Sequence, residues 1–186
     1  MKQKFNPNTI QLIIGLGNPD DCYRETFHNA GMLLADFLVT KGKKPRFKKI
    51  SSKHFVVNKE GGTPVIKPST FMNESGNAVR EALSYFKARP EQLLICHDDS
   101  DLPLGTFKLD IGRGSAGHKG VASAIQSLGT SDFWRMRIGV RVPDKDIVRR
   151  KKAEEFVLLP LSQNERGTLQ KTFHAIEKEI FPAGHQ

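Results

Sequence analysis

The stretch that decides the fold is GLGNPDDCYRETFHNAG, residues 15–31. It follows an apolar run, residues 10–14, which predicts a buried strand that the Gly-Asn-Pro turn then ends. Asn18 lies in that turn, and His28 lies at the start of an apolar-periodic helix. Because α/β enzymes collect functional groups at the carboxyl ends of their strands, we expect this amide and this imidazole to belong to one site.

Length and composition indicate one globular domain spanning residues 1–186, with 38% hydrophobic and 26% charged residues. No apolar run approaches the roughly 20 residues that span a bilayer. The N-terminal MKQKFNPNT has no apolar core and does not resemble a secretory signal. Two cysteines, Cys22 and Cys96, indicate no disulfide framework. We therefore expect a cytoplasmic protein without a membrane segment, and a monomer.

The formal net charge of +9 favours a polyanionic partner, nucleic acid first and an acidic membrane surface second. A solvated basic surface without a partner is the alternative. The charge is uneven, with KGKKPRFKKISSK at residues 41–53 and RRKK at residues 149–152. Such runs are often exposed loops.

Strand and helix patterns alternate along the chain, which predicts an α/β fold. The predicted class is a single globular domain with a twisted mixed, mostly parallel sheet and helices on both faces. Residues 106–111 alternate and indicate an edge or antiparallel strand. The predicted strands are 10–16, 54–58, 64–67, 93–97, 106–111 and 133–142, and the predicted helices are 29–39, 75–86, 118–128 and 163–181.

Four polar clusters are expected at strand ends or turns. The clusters are Asn18 with Tyr23 and His28, then KPSTFMNESG (67–76), CHDDSDLPLG (96–105) and GRGSAGHKG (112–120). A histidine that acts as a general base needs a carboxylate to fix its tautomer. Asp98, at the end of its predicted strand, is the best candidate for that role, with Asp99 and Asp101 as rivals.

Several common chemistries are not indicated. The chain has no Gly-x-Ser-x-Gly nucleophile motif, so water is the expected nucleophile. The run His97-Asp98-Asp99 is a poor metal chelate because neighbours in a strand point to opposite faces. The glycine-rich loop lacks the Lys-Ser/Thr of a Walker A motif, and the first turn lacks the third glycine of a dinucleotide fingerprint. We expect neither a metal nor a cofactor.

In this order and spacing, the four clusters resemble the bacterial-type peptidyl-tRNA hydrolase family. The resemblance rests on GLGNP…Y…T-x-HNAG, Pro-x-x-Phe-Met-Asn-x-Ser-Gly, His-Asp-x-x-Asp-Leu-Pro-x-Gly and Arg-x-Arg-Ile-Gly-Val, and it runs from Leu12 to about Phe181. It implies hydrolysis of the ester between a peptide, or an N-blocked amino acid, and the 3′-terminal ribose of tRNA, which recycles prematurely released peptidyl-tRNA. It further implies that His28 activates water and that Asp98 holds His28. The residues that would line the pocket are Asn18, Tyr23, Met72 and Asn73.

The chain departs from the family pattern at positions that bear on substrate binding. Lys119 stands where the family has an asparagine after the histidine of the glycine loop. A lysine donates hydrogen bonds but accepts none. Lys108 and Asp110 stand where two alternating lysines are associated with the 5′-phosphate of tRNA. We therefore expect Arg113 or Arg137 to carry more of that contact.

Two other functions remain open at this point. Some plant-organelle members of the fold family are intron-splicing cofactors, which bind RNA without turnover, and Lys119 and Asp110 favour that alternative. The pair His28 and Asp98 favours the enzyme. A generic α/β esterase that does not act on tRNA is disfavoured by the basic charge and by the missing serine motif.

Overall fold

A computed structural model describes residues 4–40, 46–60, 62–142 and 156–182. The basic run 149–152 and the first five residues of the run 41–53 lie outside the described residues. The strands are β1 (Leu12–Gly15), β2 (Lys48–Lys49), β3 (Phe55–Asn58), β4 (Val65–Pro68), β5 (Leu93–Pro103), β6 (Phe107–Ile111) and β7 (Trp134–Arg141). The α-helices are α1 (Ala30–Thr40), α2 (Ser75–Phe86), α3 (Lys119–Leu128) and α4 (Gln163–Ile180).

The strands form one seven-stranded sheet in the order β2-β3-β4-β1-β5-β7-β6. The four central strands, β4, β1, β5 and β7, are parallel to one another. The outer strands β2, β3 and β6 pair antiparallel. The predicted mixed, mostly parallel sheet and the antiparallel edge strand at 106–111 are therefore confirmed.

Alternate residues of the strands supply two cores on opposite faces of the sheet. Ile13 packs with α1 and α4 on one face. Its neighbours Leu12 and Ile14 pack with α2 and α3 on the other face. Helices cover both faces of β1 and of the first half of β5, so these segments are continuous apolar runs in the sequence. No helix among the described residues is long and apolar enough to cross a membrane.

Two glycines let α1 begin directly on the sheet. A Cβ at Gly31, in the first turn of α1, would overlap the carbonyl oxygens of Cys96 and Leu16. A Cβ at Gly15 would overlap the carbonyl oxygen of Gly31. The close approach lets the Met32 N–H donate to the Leu16 carbonyl at 3.1 Å. It also fixes the position of the residues just before α1 relative to β1 and β5.

Two elements differ from the sequence prediction. The strand expected at 93–97 continues to Pro103, so Asp98 lies within β5 and not at its end. The charged run 97–101 remains in the strand because β7 pairs with it, and the register shifts only after Asp99. The short strand β2 was not predicted, since two lysines in a charged segment have no strand pattern of their own.

Candidate active site

A cleft of about 740 Å³ opens at the carboxyl ends of the parallel strands. The turn after β1, the segment after β4 and the second half of β5 form its walls, together with the glycine loop before α3 and residues 157–158. Seven of the residues singled out from the sequence line it: Asn18, Tyr23, His28, Met72, Asn73, Asp98 and Lys119.

His28 and Asp98 are in direct contact within this cleft. His28 Nδ1 lies 2.9 Å from Asp98 Oδ1 and 3.1 Å from Oδ2. A carboxylate accepts hydrogen bonds, so Nδ1 carries the proton and Nε2 of the neutral ring keeps its lone pair. The His28 side chain is 13% exposed and that of Asp98 4% exposed. Of the three aspartates weighed from the sequence, Asp98 is the one that contacts His28.

The segment around His28 is also held by the distant segment that precedes α4. The backbone N–H of His28 donates to the Val157 carbonyl at 2.7 Å. The Leu161 N–H donates to the Glu25 carbonyl at 2.8 Å. His28 lies in the 3-10 turn Phe27–Asn29 directly before α1. The position of its ring therefore depends on α1 and on the segment that precedes α4.

A second imidazole, His118, binds the same carboxylate. His118 Nε2 lies 2.9 Å from Asp98 Oδ1. His118 Nδ1 accepts from the Val121 N–H at 3.2 Å, so His118 caps the N-terminus of α3 through its side chain. These two contacts place the His118 proton on Nε2. Asp98 therefore accepts from two imidazole N–H groups at once.

The two imidazoles keep Asp98 ionised. Burial by itself would raise the pKa of Asp98, but the His118 and His28 rings beside it favour the charged form and hold that pKa well below its usual range. The carboxylate is thus a permanent acceptor across the physiological pH range.

Among the described residues, His28, Asp98 and His118 also lie close enough to one another to hold a metal ion. One ligand atom each from His28, Asp98 and His118 lies within 4.8 Å of the others. The hydrogen bonds, however, assign protons to both ring nitrogens that face Asp98, and metal ligation needs a nitrogen without its proton. The arrangement fits a hydrogen-bonded trio better than it fits a metal site.

The turn after β1 presents an oriented amide. Asn18 Oδ1 accepts from the Met72 N–H at 2.8 Å, which leaves Nδ2 of the same side chain as a donor. Asn29 holds the Asn18 backbone from both sides: its Oδ1 accepts from the Asn18 N–H at 2.8 Å, and its Nδ2 donates to the Asn18 carbonyl at 2.9 Å. Met72 itself is buried and forms part of the floor of the cleft.

His97 is buried beside the trio. Its Nδ1 donates to the Asp98 carbonyl at 2.7 Å, and its ring packs edge-on against His118 with centroids 4.6 Å apart. Its Nε2 has no hydrogen-bond partner. Burial and the adjacent His118 ring hold the pKa of His97 well below its ordinary value, so the ring is neutral near pH 7.

Three predicted RNA contacts lie outside the cleft, at the β6–β7 edge of the sheet. Arg137 is largely buried, and its guanidinium pairs with Asp99 and Asp110, each at 2.7 Å. Arg113 is more than half exposed and lies 3.5 Å from Asp110. Lys108 is exposed and pairs in register with Arg137. The structure does not bring these three residues to His28.

His118 and Asn29 are structural partners of the site that the sequence analysis did not single out. His118 was overlooked because it stands in a loop read for phosphate binding, with no carboxylate near it in sequence. Asn29 follows His28 directly and was read only as the beginning of a helix. Both residues stand close to a glycine in a predicted turn. That pattern is the one signal in the sequence that could have indicated them.

The family model described as peptidyl-tRNA hydrolase matches residues 12–182. A peptidyl-tRNA hydrolase of Coxiella burnetii is 40% identical over 171 residues, which cover 92% of this chain and 87% of the relative. One of Caldicellulosiruptor saccharolyticus is 39% identical over 171 residues, with coverages of 90% and 85%.

Solved structures agree with the sequence matches. The crystal structure of peptidyl-tRNA hydrolase from Acinetobacter baumannii superimposes with a TM-score of 0.80 at 29% identity, covering 92% of this chain and 87% of that one. The family match spans the strands, the glycine loop and the His28–Asp98 pair. The chain belongs to the peptidyl-tRNA hydrolase family.

Proposed function

We propose that this protein hydrolyses the ester bond of peptidyl-tRNA with His28 as the general base. The observation that carries this assignment is the contact between His28 Nδ1 and Asp98, which leaves Nε2 as the acceptor in a cleft. Nε2 takes a proton from water as the water attacks the ester carbonyl. The protonated ring then returns that proton to the 3′ oxygen of the tRNA as the bond from this oxygen to the carbonyl carbon breaks. An ester is activated relative to an amide, so no covalent intermediate is required.

Asn18 is the proposed donor to the developing oxyanion. Its Oδ1 is occupied by the Met72 N–H, so the amide is oriented before substrate arrives. A donor that is already in place needs no reorganisation when charge develops, which is the main advantage of such groups. Asn73, which is exposed at the same rim, is the proposed contact for the peptide or the CCA end.

The remaining walls suit the two halves of the substrate. Tyr23, Phe71 and Val157 supply apolar surface to the cleft for the peptide or the terminal adenine. Lys119 is exposed at the rim and offers an ammonium to a phosphate or a carbonyl. Lys108 and Arg113 are the proposed contacts for the tRNA beyond its end.

We further propose that the protein acts as a cytoplasmic monomer of one domain without a cofactor. One chain supplies every group that the mechanism uses. The relatives named above are hydrolases, and the intact His28–Asp98 pair supports turnover over RNA binding without catalysis. Nothing in the fold or the cleft supports the splicing alternative.

The decisive experiment is hydrolysis of an N-acetylaminoacyl-tRNA by the His28→Ala variant. We expect kcat to fall about 100-fold or more, the usual contribution of a general base. His174→Ala is the matched control, because His174 is an exposed histidine on α4. Full activity in the His28→Ala variant would refute the assignment.

A further inference from the structure

The edge of the sheet at β2 concentrates positive charge. Residues 46–60 contain five Lys or Arg and a single acidic residue, Glu60. Four of the cations precede β3, and together they are called the β2 edge surface here. The β2 edge surface consists of Arg46, Lys48, Lys49 and Lys53.

Among the described residues, Lys53 has an acidic neighbour in Glu81 on α2, whose pKa is lowered by the hydrogen bond from the His54 N–H and, less strongly, by the charge of Lys53. Arg46, Lys48 and Lys49 are exposed, and none of the four forms an ion pair with a described carboxylate. The carboxylates on neighbouring elements are engaged elsewhere. Glu81 on α2 accepts from the His54 N–H at 2.9 Å, and Asp36 on α1 binds Lys67 at 2.6 Å.

The opposite edge of the sheet is different. There Arg137 is neutralised by Asp99 and Asp110, and Arg141 pairs with Asp101 at 3.2 Å. A polyanion gains most from cations whose charge is not already balanced. The charge balance therefore points to the β2 edge more strongly than to Arg137.

The β2 edge surface lies within reach of the cleft. Because β3 runs antiparallel to β4, Phe55 pairs with Pro68 at the carboxyl end of β4. Lys53 precedes β3 and so lies at the end of the sheet where residues 71–73 line the cleft. β2 is three strands from β1, which corresponds to about 14 Å at the usual strand spacing.

We propose that the β2 edge surface binds the phosphate backbone of the tRNA body while the aminoacylated end occupies the cleft. A cleft of about 740 Å³ holds only the end of such a substrate, so most of the tRNA lies outside it. Exposed cations that form no ion pair with a described carboxylate can neutralise phosphates of such a substrate. An acidic membrane fits less well, because the exposed large apolar residues, Phe71, Tyr85, Leu158 and Phe181, are not part of this surface.

The test compares two substrates in the double variant Lys48→Gln/Lys49→Gln. One is full-length N-acetylaminoacyl-tRNA, and the other is the same N-acetylaminoacyl ester on a CCA trinucleotide, which reaches only the cleft. We expect KM for the full-length substrate to rise about three- to tenfold and kinetics on the trinucleotide to be unchanged. The log–log salt slope of tRNA binding should flatten by about one unit per lysine.

Matched variants distinguish an effect of the β2 edge surface from a general effect of removing positive charge. Lys171→Gln/Lys178→Gln removes the same charge from exposed positions on α4 and should leave KM near the wild-type value. Lys48→Arg/Lys49→Arg keeps the charge and should restore binding. Equal effects on both substrates, an unchanged salt slope, or the same KM change in the α4 variant would overturn the proposal. Turnover of the trinucleotide ester measures hydrolysis without any contribution from the β2 edge surface. It therefore distinguishes failure of this proposal from failure of the proposed function on which it rests.

Discussion

His118 Nε2 lies 2.9 Å from Asp98 Oδ1, the same oxygen that accepts from His28 Nδ1. Asp98 is therefore held by two rings: His28, in the turn just before α1, and His118, whose other nitrogen caps α3. A carboxylate fixed by two donors cannot rotate freely, so the orientation of His28 depends on the glycine loop as well as on β5. The loop and the base are coupled through one oxygen atom.

Replacing Asp98 by Asn should reduce kcat while leaving the fold intact. The amide keeps one acceptor but loses the negative charge that stabilises protonated His28 in the transition state. The acidic limb of the pH–rate profile should accordingly move to lower pH. Steady-state rates across pH, with circular dichroism as a check on folding, test this. An unchanged rate and profile would remove Asp98 from the mechanism.

The buried His97 should make the protein less stable in mild acid. Its pKa is held well below 6.5 in the folded protein by burial and by His118, so below that pH the unfolded chain binds a proton that the folded one resists. The free energy of unfolding should then fall as the pH drops below about 6.5.

His97→Gln retains an amide donor for the Asp98 carbonyl but cannot titrate. Urea unfolding between about pH 7 and pH 5 should therefore show a smaller loss of stability in this variant than in the wild type. The exposed-site variant His174→Gln is the control and should keep the wild-type slope. Parallel curves for His97→Gln and the wild type would contradict the prediction.

Arg113 and Arg137 should behave differently when each is replaced by alanine. Arg113→Ala should make the slope of log affinity against log salt concentration shallower by about 0.7–0.9. This is the change expected when one phosphate contact is lost. Arg137→Ala should instead lower the free energy of unfolding by about 1–3 kcal/mol, because Asp99 and Asp110 lose their partner. Anisotropy titrations with deacylated tRNA and thermal unfolding distinguish the two effects. Equal loss of binding without loss of stability would place Arg137 at the RNA.

Lys119→Asn should change kcat measurably, because an amide at the rim of the cleft both donates and accepts, whereas an ammonium only donates. Rates on N-acetylaminoacyl-tRNA at a fixed pH, with Lys171→Asn on α4 as control, measure the effect. A gain in rate would mean that the lysine handicaps the hydrolase. Identical kcat and KM would show that Lys119 does not reach the substrate.

Local patterns predicted most of the fold. The bounds of α2 agree with the predicted 75–86, because its apolar positions repeat at helical spacing between clear turn signals. β1 and the first half of β5 are recognisable because they are apolar on both faces, and β7 is recognisable from its alternating pattern. The extension of β5 through residues 98–103 could not be predicted, because it depends on pairing with β7, which lies more than thirty residues further along the chain.

The site could be predicted only in part, because only some of its contacts lie close together in the sequence. Asn18 and His28 follow one strand closely, so their proximity is a local property of the turn. The sequence favours Asp98 as the residue at the end of its predicted strand, although Asp98 lies within β5. Its contact with His28 depends on the register of β5 against β1, which no local pattern gives. The role of His118 depends on where α3 begins relative to β5, and no short-range pattern encodes that distance.

The hydrogen bond from the His28 N–H to the Val157 carbonyl has a consequence for biosynthesis. His28 precedes residues 157–158 by more than a hundred positions, yet Val157 holds its backbone and residues 157–158 form one wall of the cleft. A nascent chain therefore lacks a finished catalytic centre until this late segment has emerged from the ribosome. The cleft therefore cannot form while only the segment from β1 to β7 has been synthesised.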